Sequence, residues 1–270
     1  MENKYYRFTR LFNLKKTRVI IASGQAVVLH QLAMMSKDAD WIIREDEESF
    51  AKVLKVLAEH GARYRFGAPL DIAWHKYGWS SHFELFQDEQ RLRLDFFSRP
   101  PRLSSADLAT LWQEAEDEEL PFVDKHRLIK QKLTDRLKDY AIIGELVRSS
   151  GNEDLLIRYG QSAAEIIELV RRKPGIVTRL KQERTHFAML DFKHPDLELQ
   201  IRLAIEQERY SLMKTNLARI EMYRDASRSW AGEWANIERS SAQLRLEAFH
   251  IRMIAEAKKL LPQDPETAKH

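Results

Sequence analysis

The sequence predicts an α+β protein: a small mixed sheet flanked by helices in the N-terminal half, followed by an all-helical C-terminal half. Three patterns predict it. Between residues 18 and 97, short apolar and β-branched runs alternate with stretches of helical spacing. His82 to Phe86 and Arg91 to Phe97 alternate apolar with polar residues around the polar connector 87–90, as a hairpin does. From Ser105 onward every periodic stretch has helical spacing.

Each element follows from its own residues. Lys4, Arg7, Arg10, Lys15, Lys16 and Arg18 are interleaved with Tyr5, Tyr6, Phe8 and Phe12. That segment reads either as an amphipathic helix with its aromatics on the core, or as a surface for phosphate contact and base stacking. Val19 to Ala22 is a short strand ended by Ser23-Gly24, and Gln25 to Leu32 is a helix. Ala39 to Ile43 is a second strand. Asp46 caps a helix carrying Phe50, Val53, Leu54, Val56 and Leu57 at helical spacing until Gly61 stops it, and Ala62 to Phe66 returns as a strand. In the hairpin, Leu92, Leu94 and Phe96 share one face, while Arg93, Asp95 and Phe97 share the other. Ser104 or Ser105 caps the next helix, and Asp124 caps a longer one from Lys125 to Val147. Residues 149–152, Ser-Ser-Gly-Asn, read as a linker, which divides the chain into domains 1–148 and 149–270. Beyond it, helices are punctuated by Pro174-Gly175 and His194-Pro195. Two long helices run from Asp196 to about Tyr223 and onward to about Leu261, and the tail 262–270 is expected to fray.

Composition narrows the chemistry. Hydrophobic residues make up 44% and charged residues 31%, enough for a core under a solvated surface. With no cysteine, disulfides, thiolate metal sites and cysteine nucleophiles are excluded, so any metal must sit on oxygen or histidine. No run approaches the roughly 18 apolar residues of a membrane span, and the first residues lack the form of a signal peptide, so a cytoplasmic protein is expected. A net charge of +3, from 44 basic and 41 acidic residues, does not announce a nucleic-acid binder.

One constellation points to a reaction. Asp38 and Asp40 stand one residue apart at the start of a strand, so both carboxylates project to one face. Paired in this way they suit a divalent metal that neutralises phosphates, and Asp95 on a neighbouring strand supplies a third carboxylate, as a further metal ligand or as a base. The Ser23-Gly24 turn, between a strand and a helix, lets backbone N–H groups approach phosphate oxygens. The stretch from Ile21 to Ile43 resembles the opening motif of the minimal nucleotidyltransferase superfamily, with the polymerase-β-like fold, and in particular its abortive-infection toxin branch. Gly24, Ala26, His30, Ser36, Asp38 and Asp40 stand at the matching places. A second block, Leu120 to Asp124 followed by Leu128-Ile129, Lys132, Arg136, Lys138-Asp139 and Ile142, is similar to that family's downstream helices. Gln25 follows Gly24 where the family has a small residue, and Gln31 and Met34 replace a Gly and an Arg.

The resemblance implies a metal-dependent transfer of a nucleoside monophosphate from a nucleoside triphosphate to a hydroxyl of RNA, such as tRNA, or of a protein. Mg²⁺ or Mn²⁺ would be held by Asp38, Asp40 and Asp95. Ser23, Gly24, Ser36, Lys132 and Arg136 would contact the nucleotide, with Arg136 and Asp139 orienting the site or pinning the helix junction. It also implies a place in a toxin–antitoxin pair, with the helical half engaging an antitoxin or a second copy of the chain. The competing expectation is a catalytically silent module of the same fold that binds a protein or RNA. Arg245 and His250 have the Arg-x4-His spacing of ribonucleases that partner such enzymes, and Trp230 with Trp234 reads as a core or dimer stripe. His75 to Ser81 reads as a loop that either meets a base or packs on the sheet.

Overall fold

The computed structural model of the chain describes residues 3–260, and the expected fraying of 262–270 lies outside them. The fold is α+β, as the alternating pattern predicts. Residues pack into two units, one made of residues up to 124 with those from 221 on, the other of 125–220.

The first unit is built on a five-stranded sheet: β1 (Val19–Ala22), β2 (Asp38–Ile43), β3 (Arg63–Gly67), β4 (Ser80–Gln87) and β5 (Gln90–Phe97). The order is β1-β2-β5-β4-β3, and only β2 and β5 run parallel. The basic N-terminal segment is the helix α1 (Lys4–Phe12), capped by Asn3, whose side chain accepts from the Tyr5 amide. Its spacing turns Tyr5, Phe8, Thr9 and Phe12 inward, so the aromatics belong to the core. Trp41 of β2 stacks on Phe96 of β5 at 5.2 Å, Phe12 meets both edge-on, and the Trp41 indole donates to Thr9 Oγ1 at 2.9 Å.

Helix α2 (Ser23–Leu29) starts at Ser23 itself, two residues earlier than its spacing suggests. Asp46 caps α3 (Glu47–Glu59) by accepting from the Ser49 amide, and Gly61 adopts φ 69° beyond its end. The short α4 (Ile72–His75) leads into β4, and the loop after it packs: Trp74 lies between Trp79 and Trp230, and Tyr223 meets Trp79. The hairpin connector is tighter than four residues. Gln87 pairs with Gln90, leaving Asp88 and Glu89 at φ 48° and 61°, the left-handed pair of a type I′ turn. Ser104 and Asp107 form a capping box on α5 (Ser105–Glu114).

The single helix expected over 125–147 is broken into α6 (Lys125–Lys132) and α7 (Leu137–Ser150). The break has a physical cause at Thr134. Its hydroxyl donates to the Asp139 carboxylate at 2.6 Å and accepts at 3.1 Å from the Arg136 amide, an N–H that a continuous helix would bond to a backbone carbonyl four residues earlier. The segment 149–152 is a sharp corner: Gly151 closes α7 at φ 61°, and Asn152 caps α8 (Glu153–Tyr159). With α9 (Ala163–Arg172), α10 (Val177–Glu183) and the start of α11 (Leu197–Ala226), these helices bury Ile157, Ile166, Leu169, Leu180, Phe187 and Ile201. The buried guanidinium of Arg184 is paired with Glu208 and donates to the Gly160 carbonyl at 2.9 Å. The helix expected to end near 261 is two, α12 (Arg228–Ser241) and α13 (Leu246–Ala257).

Candidate functional site

The register of β2, β5 and β4 sets the site. Asp38 lies opposite Arg93, Asp40 opposite Asp95, and Asp95 opposite His82, so these side chains alternate onto one face of the sheet. The other face is the Trp41–Phe96 core. The three aspartates singled out in the sequence therefore share one face, with Asp40 and Asp95 on adjacent strands.

The sequence reading put Arg93 on this face without pairing it to Asp38, and it missed His82 and Arg65. Arg93 Nη1 is 3.4 Å from Asp38 Oδ1. Asp95 Oδ1 has His82 Nδ1 at 2.9 Å, a close contact not aligned as a hydrogen bond, and Arg65 Nη2 at 3.6 Å. Arg65 reaches it because the β3–β4 register shifts between Tyr64 and Phe66, leaving Arg65 as the extra residue of a bulge. Such a bulge re-aims a side chain. Next to it, Gly67 adopts φ 91°, and a Cβ there would lie 2.6 Å from His82 Cδ2 and 2.8 Å from the Ser80 carbonyl. Only glycine lets the His82 ring lie where it does, stacked on Phe66 at 4.3 Å. Register could have found His82: a hairpin closing at Gln87 and Gln90 places it opposite Asp95.

The turn before β2 is built from the residues the motif names. Ser23 begins α2 at φ 48°, in the left-handed region. Gly24 is pressed against Ser36, whose Oγ would lie 2.4 Å from an added Cβ, and the Ser36 hydroxyl donates to the Asp38 carbonyl at 3.0 Å. Gln25 is buried, and its amide donates to the Ser36 carbonyl at 3.1 Å and the Asp38 carbonyl at 3.3 Å. Its bulk thus points into the junction of α2 and β2, tying the turn to the acidic strand. His30 is a hydrogen-bonded helix-end residue, with Nε2 at 2.9 Å from the Val123 carbonyl.

A metal ion is the group the motif implies. Among the described residues no three His, Asp or Glu side chains are placed to hold one. The carboxylates of Asp38 and Asp95 face Arg93, Arg65 and His82 instead, so the side chains in this arrangement do not fit a metal ion.

Lys132 and Arg136 come together in the second unit. Lys132 Nζ is buried 3.4 Å from Asp139 Oδ1, and Arg136 Nη2 is 2.7 Å from Asp139 Oδ2, pinning the α6–α7 junction. His250 takes no part in a site with Arg245. Its Nδ1 is hydrogen-bonded at 2.8 Å with the Tyr64 hydroxyl, which also accepts from the Leu70 amide, and burial pushes the His250 pKa down to about 4. Trp230 is buried and donates to the Gly67 carbonyl at 2.9 Å, which bears out its reading as core.

No family model matches the chain, and no curated protein matches it. Among solved structures it is similar to a candidate nucleotidyltransferase from H. pylori, at 14% identity and a TM-score of 0.36, over 78% of this chain and 95% of that one. It is also similar to JHP933 from Helicobacter pylori, at 12% identity and a TM-score of 0.36, over 82% of this chain and 96% of that one. No helix among the described residues is long and apolar enough to cross a membrane.

Proposed function

We propose that the protein is a nucleotidyltransferase-type protein that receives a nucleoside triphosphate on the charged face of its sheet. One observation carries the reading: parallel pairing of β2 with β5 brings Asp38, Asp40 and Asp95 onto one face, directly after the β1–Ser23-Gly24–α2 turn. In the transfer, an acceptor hydroxyl oxygen bonds to the α-phosphorus, the bond to the β-phosphate oxygen breaks, and pyrophosphate leaves. A carboxylate of this face takes the hydroxyl proton. Arg65 and Arg93 stand on the same face, where they offset the charge of a polyphosphate. The acceptor proposed is RNA or protein, in the setting of a toxin and its antitoxin.

A second reading, a silent module that binds nucleotide without turnover, is favoured by the contacts of Arg93, His82 and Arg65 with the same carboxylates. Incubation with each α-labelled nucleoside triphosphate, total RNA and cell lysate, with Mg²⁺, with Mn²⁺ or with chelator, separates the two. The transferase reading expects label in RNA or protein, reduced by about 10²-fold or more in Asp40→Asn. Absence of label with a triphosphate-dependent rise in thermal midpoint supports the silent module, because a ligand bound only by the native state stabilises it. Neither label nor shift refutes both. Lys132→Ala and Arg136→Ala test whether those two residues belong to the nucleotide site or only to the helix junction.

A further inference from the structure

The charged face holds a second chemical arrangement. Ser80 Oγ lies 3.0 Å from His82 Nε2, and the other ring nitrogen, Nδ1, lies 2.9 Å from Asp95 Oδ1. Serine, histidine and aspartate are thus in line along β4 and β5: Ser80 and His82 two residues apart on one strand, Asp95 directly across from His82. The order is that of an activated nucleophile: the base is within hydrogen-bond reach of the hydroxyl, and a carboxylate stands in close charge contact with the base, though not aligned with it as a hydrogen bond.

The carboxylate charge beside Nδ1 favours the tautomer with its proton on that nitrogen, and in that tautomer the Nε2 lone pair faces Ser80 Oγ. Surroundings hold the ring in that pose. Phe66 stacks on it, and the absence of a side chain at Gly67 clears space for both the ring and the Ser80 carbonyl. His82 and Asp95 side chains are only 18% and 15% exposed, so water competes weakly for their contact. Two cations, Arg65 beside Asp95 and Arg93 beside Asp38, stand on the same face and would offset part of the charge of an anionic substrate there.

We propose that Ser80 is a nucleophile activated by His82, with Asp95 as its positioning residue, and that it takes the nucleotidyl group of a nucleoside triphosphate onto its own oxygen. The inference rests on the nucleotidyltransferase reading for its donor. Ser80 Oγ bonds to the α-phosphorus, the bond from that phosphorus to the β-phosphate oxygen breaks, pyrophosphate leaves with the electron pair, and the hydroxyl proton passes to His82 Nε2. The product is a phosphodiester between Ser80 and the nucleoside. The array places the proton acceptor on histidine and gives Asp95 the orienting role, where the sequence motif suggests Asp95 as ligand or base.

The test is peptide mass spectrometry on the full chain after incubation with each of the four ribonucleoside triphosphates, run beside the RNA and lysate labelling. A nucleoside monophosphate addition on the peptide containing Ser80 is expected. It should vanish in Ser80→Ala, persist on the hydroxyl of Ser80→Thr, and form about 10²- to 10⁴-fold more slowly in His82→Gln. Circular dichroism and the thermal midpoint identify any variant that fails to fold, and Ser80→Thr keeps the test decisive if Ser80→Ala does. An unmodified Ser80 in wild-type protein that labels RNA or lysate overturns this proposal and leaves the transferase reading standing. Modification that proceeds at the wild-type rate in folded His82→Gln also overturns it. No label on any acceptor, Ser80 included, refutes both.

Discussion

The two faces of the sheet are made by alternate residues of the same strands and differ in almost everything else. On one, Trp41, Phe83, Leu94 and Phe96 are fully buried, and α1 lies on them through Phe12 and Thr9. On the other, Asp38, Asp40, Arg93, Asp95, His82 and Ser80 are only partly buried and meet one another through charge and hydrogen bonds. Each face has its histidine. His75, on the packed side, is fully buried with Nε2 at 2.8 Å from Ser81 Oγ, and burial pushes its pKa down to about 3. His82, on the charged side, sits between a hydroxyl and a carboxylate. Stability is thus concentrated on one face and reactive groups on the other, with a single residue separating them along each strand.

That contrast can be broken first on the packed face. Trp41→Ala removes a fully buried tryptophan at the centre of this face and is expected to cost about 3–5 kcal/mol by urea denaturation. A loss under ~1 kcal/mol would mean that this face does not hold the fold. A smaller effect comes from pH. His75 and His250 have folded-state pKa values of about 3 and about 4, below the ordinary 6.5, so the unfolded chain binds more protons. The full stability is present above pH 6.5 and is lost as pH falls toward those values. Between pH 7 and 5 each histidine accounts for about 2 kcal/mol, and the slope should flatten in His75→Gln; a pH-independent midpoint over that range would contradict their burial as neutral rings. Gly67→Ala puts a side chain at positive φ against His82 and is expected to cost about 1–3 kcal/mol while suppressing Ser80 modification. Unchanged modification would show that the ring does not need this clearance. The smallest effect on stability belongs to the charged face: Asp38 and Arg93 are partly exposed, and Asp38→Asn should shift stability by less than about 1 kcal/mol. Nucleotide transfer should nonetheless fall by about 10²-fold or more in that variant. A parallel loss of stability would make the pair a structural one.

The hairpin shows how far local pattern reaches. Alternation put Leu92, Leu94 and Phe96 on one face and Arg93 and Asp95 on the other, because the strand period is two, and the structure buries the apolar set in the core. The same alternation, carried through the Gln87–Gln90 closure, places His82 across from Asp95. What it cannot supply is Arg65, since a bulge between Tyr64 and Phe66 breaks the period and turns that side chain toward Asp95. Thr134 is a second case. The helical spacing of 125–147 is continuous in the sequence, and the helix breaks where a hydroxyl finds Asp139, five residues away.

By itself the sequence determined the α+β class, the strands, the two faces of β5, the cap at Asp46 and the one at Ser104 or Ser105, and the placement of Asp38 and Asp40 on one side of β2. These follow from interactions within a few residues: periodicity, turn conformation and capping hydrogen bonds. Only the tertiary structure decided that β2 pairs parallel with β5, which sets Asp95 beside Asp40 and Arg93 beside Asp38, and that Arg65 turns toward Asp95. β2 and β3 are distant in sequence from β5, and the meeting of their side chains with Asp95 and Arg93 is fixed by sheet order and by one bulge. The charge balance of the face is a property of the assembled sheet rather than of any segment.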